Sequence, residues 1–280
     1  MKKRQSSRLG IRIIEILGIT VTLFTHWLIF YFIIINACKE RADAAKLSLA
    51  LPKQWHFWEN ISYVWTYNNH IFLRSFFNSV LITVCTMMIL VVAASMAAFV
   101  LQRRGGRLTA VSDKLILAGL TTPLSVIPTY WVLTKLHLNN TIPGLVFVEV
   151  AILFPFSTML YKGYISNLPR EIDEAAIVDG CGPLQLYLWV AFPLLKPITV
   201  AVVILRSIVV YNDFVNPMYF LSGSKSSTVQ LCIYTFQSAY STDWGHLFAA
   251  VVIVCLPPAL LFVALNKKIM DGVTMGAVKG

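Results

Sequence analysis

The first group of residues with a legible purpose lies between Asn167 and Pro197, which reads NLPREIDEAAIVDGCGPLQLYLWVAFPLLKP. Pro169 suits the first turn of a helix, where its missing N–H costs nothing. Glu171, Asp173 and Glu174 then fall near the positive end of the helix dipole. Ile172, Ala175 and Ala176 recur at spacings of three and four and make a small apolar face. Gly180 is placed to stop the helix with φ > 0, Gly182-Pro183 turns the chain, and Leu184 to Phe192 can form a second short helix. Small residues let another surface approach closely, so such a helix can transmit a push to a partner. The plainer alternative is a helix lying flat on lipid headgroups. That arrangement favours a Lys- and Arg-rich polar face, and this segment is acidic where anionic lipid would repel it.

A second group is ionisable and sits in apolar surroundings: Glu149, Arg206 and Asp213. Such residues face a cavity or each other by default. Arg206 precedes Asp213 by about two turns, so the two can share a helix face; Asp213 reads equally as an interfacial residue, and Glu149 as a snorkelling or paired one. No catalytic triad, paired carboxylate site or metal cluster stands out, and His26 lacks a metal-spaced partner. The five cysteines, Cys38, Cys85, Cys181, Cys232 and Cys255, form no CxxC pair and read as small buried hydrophobes. The chain has no G-x-x-x-x-G-K-[ST] and so no phosphate-binding loop of its own. It is expected to bind no cofactor and no metal, and to be a non-enzymatic subunit.

The elements that carry these residues are apolar. Hydrophobic residues make up 57% of the chain, charged residues 13%, and mean hydropathy is +0.70. A soluble domain has about 25% charged residues, so the surplus of apolar side chains calls for lipid as solvent. The net charge of +10 is scattered between apolar runs without a basic stripe, which argues against nucleic acid. Six runs approach the ~20 apolar residues that a spanning helix needs: about 13–37, 76–101, 115–134, 143–161, 198–220 and 247–265. The last contains Pro257-Pro258, a candidate kink. Continuous runs argue against a β-barrel. The expected fold is therefore an all-α membrane protein, a single transmembrane domain over 1–280, with six transmembrane helices and a helix-turn-helix at 167–197.

Orientation follows from the basic residues. With the N-terminus inside, fifteen Lys and Arg fall in the inner connections and seven in the outer ones. The excess predicts both termini in the cytoplasm and places the 167–197 loop there. The basic start followed by a run from Ile16 to Cys38 reads as an uncleaved first helix. The outer segment from Lys39 to Arg74 is rich in Trp and Tyr, as suits an interfacial helix.

Glu174-Ala175-Ala176, then Gly180, then Val190, Phe192 and Pro193 resemble the "EAA" loop of permeases in bacterial binding-protein-dependent importers: E-A-A, three residues, G, nine residues, I-x-L-P. Val for Ile and Phe for Leu are mild departures. Phe77-Asn78-Ser79 resembles the family's start of the second span. Tyr211-Asn212-Asp213-Phe214 resembles the W-N-D-F segment of sugar permeases, with Tyr for Trp. The ending Gly272 to Gly280 resembles the G-L-T-x-G-A-x-K-G tail of the maltose-permease type.

The resemblance implies a permease subunit of an ATP-binding-cassette sugar importer in the bacterial plasma (inner) membrane. Implied partners are a second homologous permease, two ATPase subunits carrying ATP and Mg, an extracytoplasmic solute-binding protein and membrane lipid. It implies ATPase coupling through Glu174, Ala175, Ala176, Asp179, Gly180 and Pro193. It also implies that the segment Leu221 to Gly245 meets the binding protein and that the tail from Asp271 lies at the ATPase interface. A sugar needs aromatic faces and amide or carboxylate partners, so Tyr130, Trp131, Arg206, Tyr211, Asn212, Asp213 and Asn216 are candidates for its pathway. The rival readings are an importer permease for a polyamine, phosphate or amino acid, and an ion-coupled secondary transporter, which needs broken helices and repeated halves.

Overall fold

The structure is a computed structural model that describes residues 2–221, 223, 226–236 and 243–277, with side chains omitted at 2–11, 13, 235–236 and 266–277. The chain forms helices α1 (Lys2–Ala37), α2 (Arg41–Ala44), α3 (Phe57–Arg103), α4 (Arg107–Thr121), α5 (Val126–Lys135), α6 (Ile142–Ile165), α7 (Glu171–Val178), α8 (Pro183–Gln185), a π turn (Leu186–Ala191), α9 (Phe192–Leu194), α10 (Lys196–Tyr211), α11 (Val215–Phe220), α12 (Val229–Phe236) and α13 (Trp244–Ala277). Among the described residues there is no strand. Among the described residues four helices are long and apolar enough to cross a membrane, at Ile14–Ala37, Phe57–Arg103, Ile142–Ile165 and Trp244–Leu265. The segments Pro183–Leu194 and Lys196–Tyr211 meet at a 74° bend and make a fifth if counted as one span.

Two sequence expectations need correction. The run at 115–134 is two helices, because Thr122 is extended (ψ 116°) ahead of Pro123, and α5 starts afresh at Val126. A residue before proline is driven out of the helical region. The run at 198–220 stops as a helix at Tyr211. There the Asp213 carboxylate accepts from the backbone N–H of Val215 (2.9 Å) and Asn216 (3.3 Å) and starts α11 instead. Through Pro257 and Pro258, by contrast, α13 continues as one helix.

The chain divides into two compact units. One comprises 1–72 and 233–255, the other 73–232 and 256–280. The boundary after Phe72 follows a break in α3, where Asn68, Asn69 and His70 all take positive φ. In the first unit a fully buried lysine holds the end of α1. Lys39 Nζ donates to Asn36 Oδ1 (3.0 Å) and to Ser48 O (2.6 Å), so its charge is dispersed over acceptors at a helix C-terminus. Asn60 donates to the carbonyls of Ala37 and Lys39, and Tyr63 stacks on His246 at 3.8 Å between centroids. The aromatic segment 39–74 is thus largely helical from Phe57, with Trp55 and Trp58 exposed.

The second unit is organised around α6, which packs antiparallel against two neighbours. Toward α4, Lys162 meets Asp113 at 2.5 Å, and Gly119 lies against the Pro155 ring, where an added Cβ would stand 3.0 Å from Cγ. Toward α10, Tyr161 donates to Thr199 (3.1 Å), and the Arg206 guanidinium sits 4.2 Å from the centre of the Phe156 ring. The pairs 162/113 and 155/119, and likewise 161/199 and 156/206, keep nearly constant sums, as antiparallel register requires. The core between these helices includes Leu90, Ala94, Leu145, Leu153, Ile165 and Val202. Lipid is as apolar as leucine, so close packing of small and shaped residues holds such helices together, with polar contacts between them.

The start of α6 gives a direct test. Thr141 caps it, accepting from the Gly144 N–H (3.1 Å) and donating to Leu138 O (2.7 Å). A Cβ at Gly144 would stand 2.1 Å from that same carbonyl oxygen, whereas one at Gly163 would meet nothing within 4 Å. Gly144→Ala is expected to destabilise the protein by about 1–3 kcal/mol. Gly163→Ala is expected to be neutral or to gain up to ~1 kcal/mol in helix propensity. Thermal unfolding of the detergent-purified variants measures both; equal midpoints for the two would contradict this packing.

Candidate functional site

The segment after α6 builds a short helix and ties it to the far end of α3. Arg170 caps α7 through its carbonyl, which accepts from Asp173 N–H (2.9 Å) and Glu174 N–H (3.1 Å). Pro169 therefore lies just ahead of the helix rather than in its first turn. The three acidic residues occupy the first turn as the dipole favours. After Asp179, Gly180 adopts φ +86° and its N–H bonds Ile177 O, while Cys181 N–H reaches back to Ala176 O. This is the left-handed ending expected of that glycine.

The buried side of α7 differs from the apolar face read off the spacing. Ala176 is buried, but Ile172 and Ala175 are exposed. The inward residue beside Ala176 is Asp173, whose Oδ2 lies 2.6 Å from Arg103 Nε at the end of α3. Both side chains are only 13% exposed. The two atoms meet as a charge contact without hydrogen-bond alignment. The arginine also donates through Nη2 to Leu168 O (3.2 Å), and Arg170 Nη2 reaches Gln102 O at 3.5 Å. A carboxylate buried to this degree needs such a partner, so the pair dictates which face of α7 turns inward.

The second half of the segment is held to the same helix. Pro183 opens α8, and Gln185 Oε1 accepts from the Gly182 N–H (3.0 Å). The π turn Leu186–Ala191 replaces the continuous second helix expected at Leu184 to Phe192. Its Tyr187 hydroxyl lies 2.7 Å from Ser95 Oγ on α3, and its ring packs near Phe99 and Phe192. A cavity of about 750 Å³ separates the segment from α3, lined by Met96, Phe99, Arg104, Arg170, Glu174 and Tyr187 among others. The outer side of the segment is strongly apolar: Val178 is 86% exposed, Trp189 76% and Leu184 60%. Glu174, Ala175, Asp179 and Pro193 are also exposed. The arrangement can present an acidic, small-residue surface to a partner and carry any displacement of it into α3.

The candidates for the solute pathway are not gathered into one site. Trp131 is exposed on α5 and Tyr130 sits at its edge of exposure. Tyr211 is buried and lines an apolar cavity of about 320 Å³ with Thr83, Met87, Ser207, Pro257 and Pro258. Gln230 donates to Asn212 (3.2 Å). Arg206 and Asp213 do not pair, because α10 ends between them. Instead Asn216 donates to Glu149 Oε1 (3.0 Å), and Asp213 is within hydrogen-bonding reach of the same carboxyl group. Glu149, only 2% exposed, is thus a paired residue joining α6 to the start of α11. Arg103, Ser95 and Tyr187 carried no signal in the sequence, since their partners lie 65 to 92 residues away. Of the segment Leu221 to Gly245, residues 222, 224–225 and 237–242 lie outside the described residues, as do the tail's last three residues and the side chains of 266–277.

Residues 89–272 match the family described as "Binding-protein-dependent transport system inner membrane component". The chain is 32% identical over 97% of its length to the melibiose/raffinose/stachyose import permease protein MelC of Bacillus subtilis, covering 98% of that protein. It is 29% identical to the diacetylchitobiose uptake system permease protein NgcG of Streptomyces coelicolor, over 89% of this chain and 82% of the relative. In fold it resembles a chain of a bacterial ABC transporter involved in alginate import, with a TM-score of 0.82, 18% identity and coverage of 94% and 97% of the two chains.

The α3–α7 contact predicts a specific pattern of rescue. Arg103→Asp and Asp173→Arg should each destabilise the segment, since breaking a buried pair costs about 3–5 kcal/mol. The double variant, which restores the pair in reverse, should recover at least half of that loss. Proteolytic susceptibility at 166–182 and thermal unfolding read the effect; losses that simply add in the double variant would contradict direct coupling.

Proposed function

Because the chain belongs to the family of binding-protein-dependent transport system inner membrane components, multi-pass transport subunits rather than enzymes, we propose that it is a permease of an ATP-driven importer of sugars or oligosaccharides. The named relatives that import melibiose, raffinose, stachyose and diacetylchitobiose support that solute class. In this reading ATP and Mg reside on two partner ATPase chains, this chain binds no cofactor, a second related permease completes the passage, and a solute-binding protein delivers the sugar. The chain crosses the bacterial inner membrane six times as one domain with both termini in the cytoplasm. Two of those crossings use broken helices, at α4–α5 and at α10–α11.

The observation that carries the mechanism is the exposed acidic start of α7, anchored to α3 by Arg103 and Asp173. Glu174 pairs with a basic residue of the ATPase, exposed Ala175 allows close approach, and Ala176 packs inward. Asp179, Gly180 and Pro193 shape the segment so that this surface projects. Closure of the ATPase pair on ATP displaces α7, and the clamp passes the displacement to α3, which biases the permease between inward- and outward-facing states. The segment from Leu221 to Gly245 meets the binding protein, and the tail meets the ATPases. Tyr130, Trp131, Tyr211, Asn212, Asp213 and Asn216 are the residues proposed to meet the solute or to shape its path.

Glu174→Lys should abolish uptake while the chain still inserts. Uptake of radiolabelled melibiose, raffinose and related sugars that the wild type transports should fall by about tenfold or more. The ATPase recovered with the tagged chain should fall in parallel. Normal ATPase recovery together with normal transport would sink the docking assignment.

A further inference from the structure

Arg206 is a charge in an unusual place. Its guanidinium lies 4.2 Å from the centre of the Phe156 ring on α6. Phe156 is fourteen residues from Ile142 and nine from Ile165, the two ends of that helix. At 1.5 Å per residue these are roughly 21 and 14 Å, so the cation sits in the middle of a helix that crosses a bilayer core of about 30 Å. Held on this ring, it does not extend toward either headgroup layer.

Among the described residues the charge also has no ionic partner. Among the described residues no carboxylate lies within 4.0 Å of it, the distance at which an ion pair is counted. Its Nε is buried and has no hydrogen-bond partner. Glu149 lies seven residues away along α6 and is engaged by Asn216. A cation–π contact offsets only part of the cost of a charge in hydrocarbon. Lipid is therefore excluded as the neighbour of this edge of α6 and α10. A water-lined sugar path is disfavoured as well, since the exposed residues beside Arg206 are apolar: Leu205 (54%), Val209 (46%), Phe156 (44%) and Ile152 (38%). An apolar surface with one half-buried cation fits a protein surface that brings a carboxylate.

We propose that Arg206 forms an intramembrane ion pair with an acidic residue in a transmembrane helix of the second permease, and that the α6–α10 face bearing Leu205, Val209 and Phe156 packs against that helix. The proposal rests on the reading that two related permeases assemble. Arg206 thereby specifies the partner and its register, because a like charge or a neutral residue opposite it leaves the cation unpaired.

The test uses the assembled transporter extracted from membranes through a tag on this chain, with the co-purified permease identified by mass spectrometry as a member of the same family. Arg206→Met should lower its recovery by about tenfold or more, and Arg206→Lys by a few-fold, since lysine keeps the charge but loses the planar fork. Arg206→Glu should lose the partner, and replacing one intramembrane Asp or Glu of the partner permease by Arg should restore both recovery and uptake. Because this rescue requires a folded chain, it decides the matter even where Arg206→Met accumulates poorly. Full partner recovery with Arg206→Met, or failure of every such reversal, overturns the ion pair while leaving the two-permease reading standing. Rapid reaction of R206C, in a cysteine-free background, with a membrane-impermeant methanethiosulfonate in the assembled transporter would also overturn it and place Arg206 on the solute path. Absence of any related permease from the wild-type preparation overturns the assembly itself.

Discussion

The contact between Arg103 and Asp173 constrains more of the structure than any other single interaction. Each side chain is 13% exposed, so neither tolerates loss of its partner without leaving a poorly solvated charge. With Asp173 turned inward, Ala175 and Val178 turn outward on a helix of 100° per residue, and Glu174 stays exposed at the side of the helix. The outward set is the surface proposed to meet the ATPase, so a buried pair determines what an exposed surface displays. The same arginine holds Leu168 O, and Ser95 holds Tyr187 further along α3. Both arms of the segment are thereby fastened to one helix, which makes α3 the natural recipient of any movement.

The helix that delivers the segment is fastened in turn. Along α6, Lys162 meets Asp113 on one side and Tyr161 meets Thr199 on the other, close to the end from which α7 follows. Nearer its start Glu149 is tied to Asn216, and the Thr141 cap closes against Leu138 O. Between these polar ends the contacts are shape-dependent, as where Gly119 lies against the Pro155 ring. Polar ties at the ends and close packing in the middle suit a helix in lipid, where hydrophobic exclusion contributes little to association.

What was legible in the sequence was local. The spacing from Glu174 through Gly180 to Pro193 gave the segment's class, and the left-handed glycine followed from its place after the apolar residues. Apolar runs located α1, α6 and α13, and the proposed solute class was suggested by the resemblance at Tyr211 to Phe214. The misreadings came from treating hydropathy as continuity. Pro123 breaks the run at 115–134, and the carboxylate of Asp213 ends the one at 198–220 by capping the next helix. Spacing alone also did not show which residue of α7 turns inward beside Ala176. The inward position of Asp173 depends on an arginine seventy residues earlier, and no periodicity carries that information.

The central claim is that α7 and the end of α3 move as one body. Spin labels at Arg104 and Val178, both exposed, report the distance between them in the assembled transporter. Joint movement gives one narrow distance distribution that shifts by less than about 2 Å between the nucleotide-free and ATP-trapped states. A shift of about 5 Å, the size of a one-turn slip of one element past another, would contradict it.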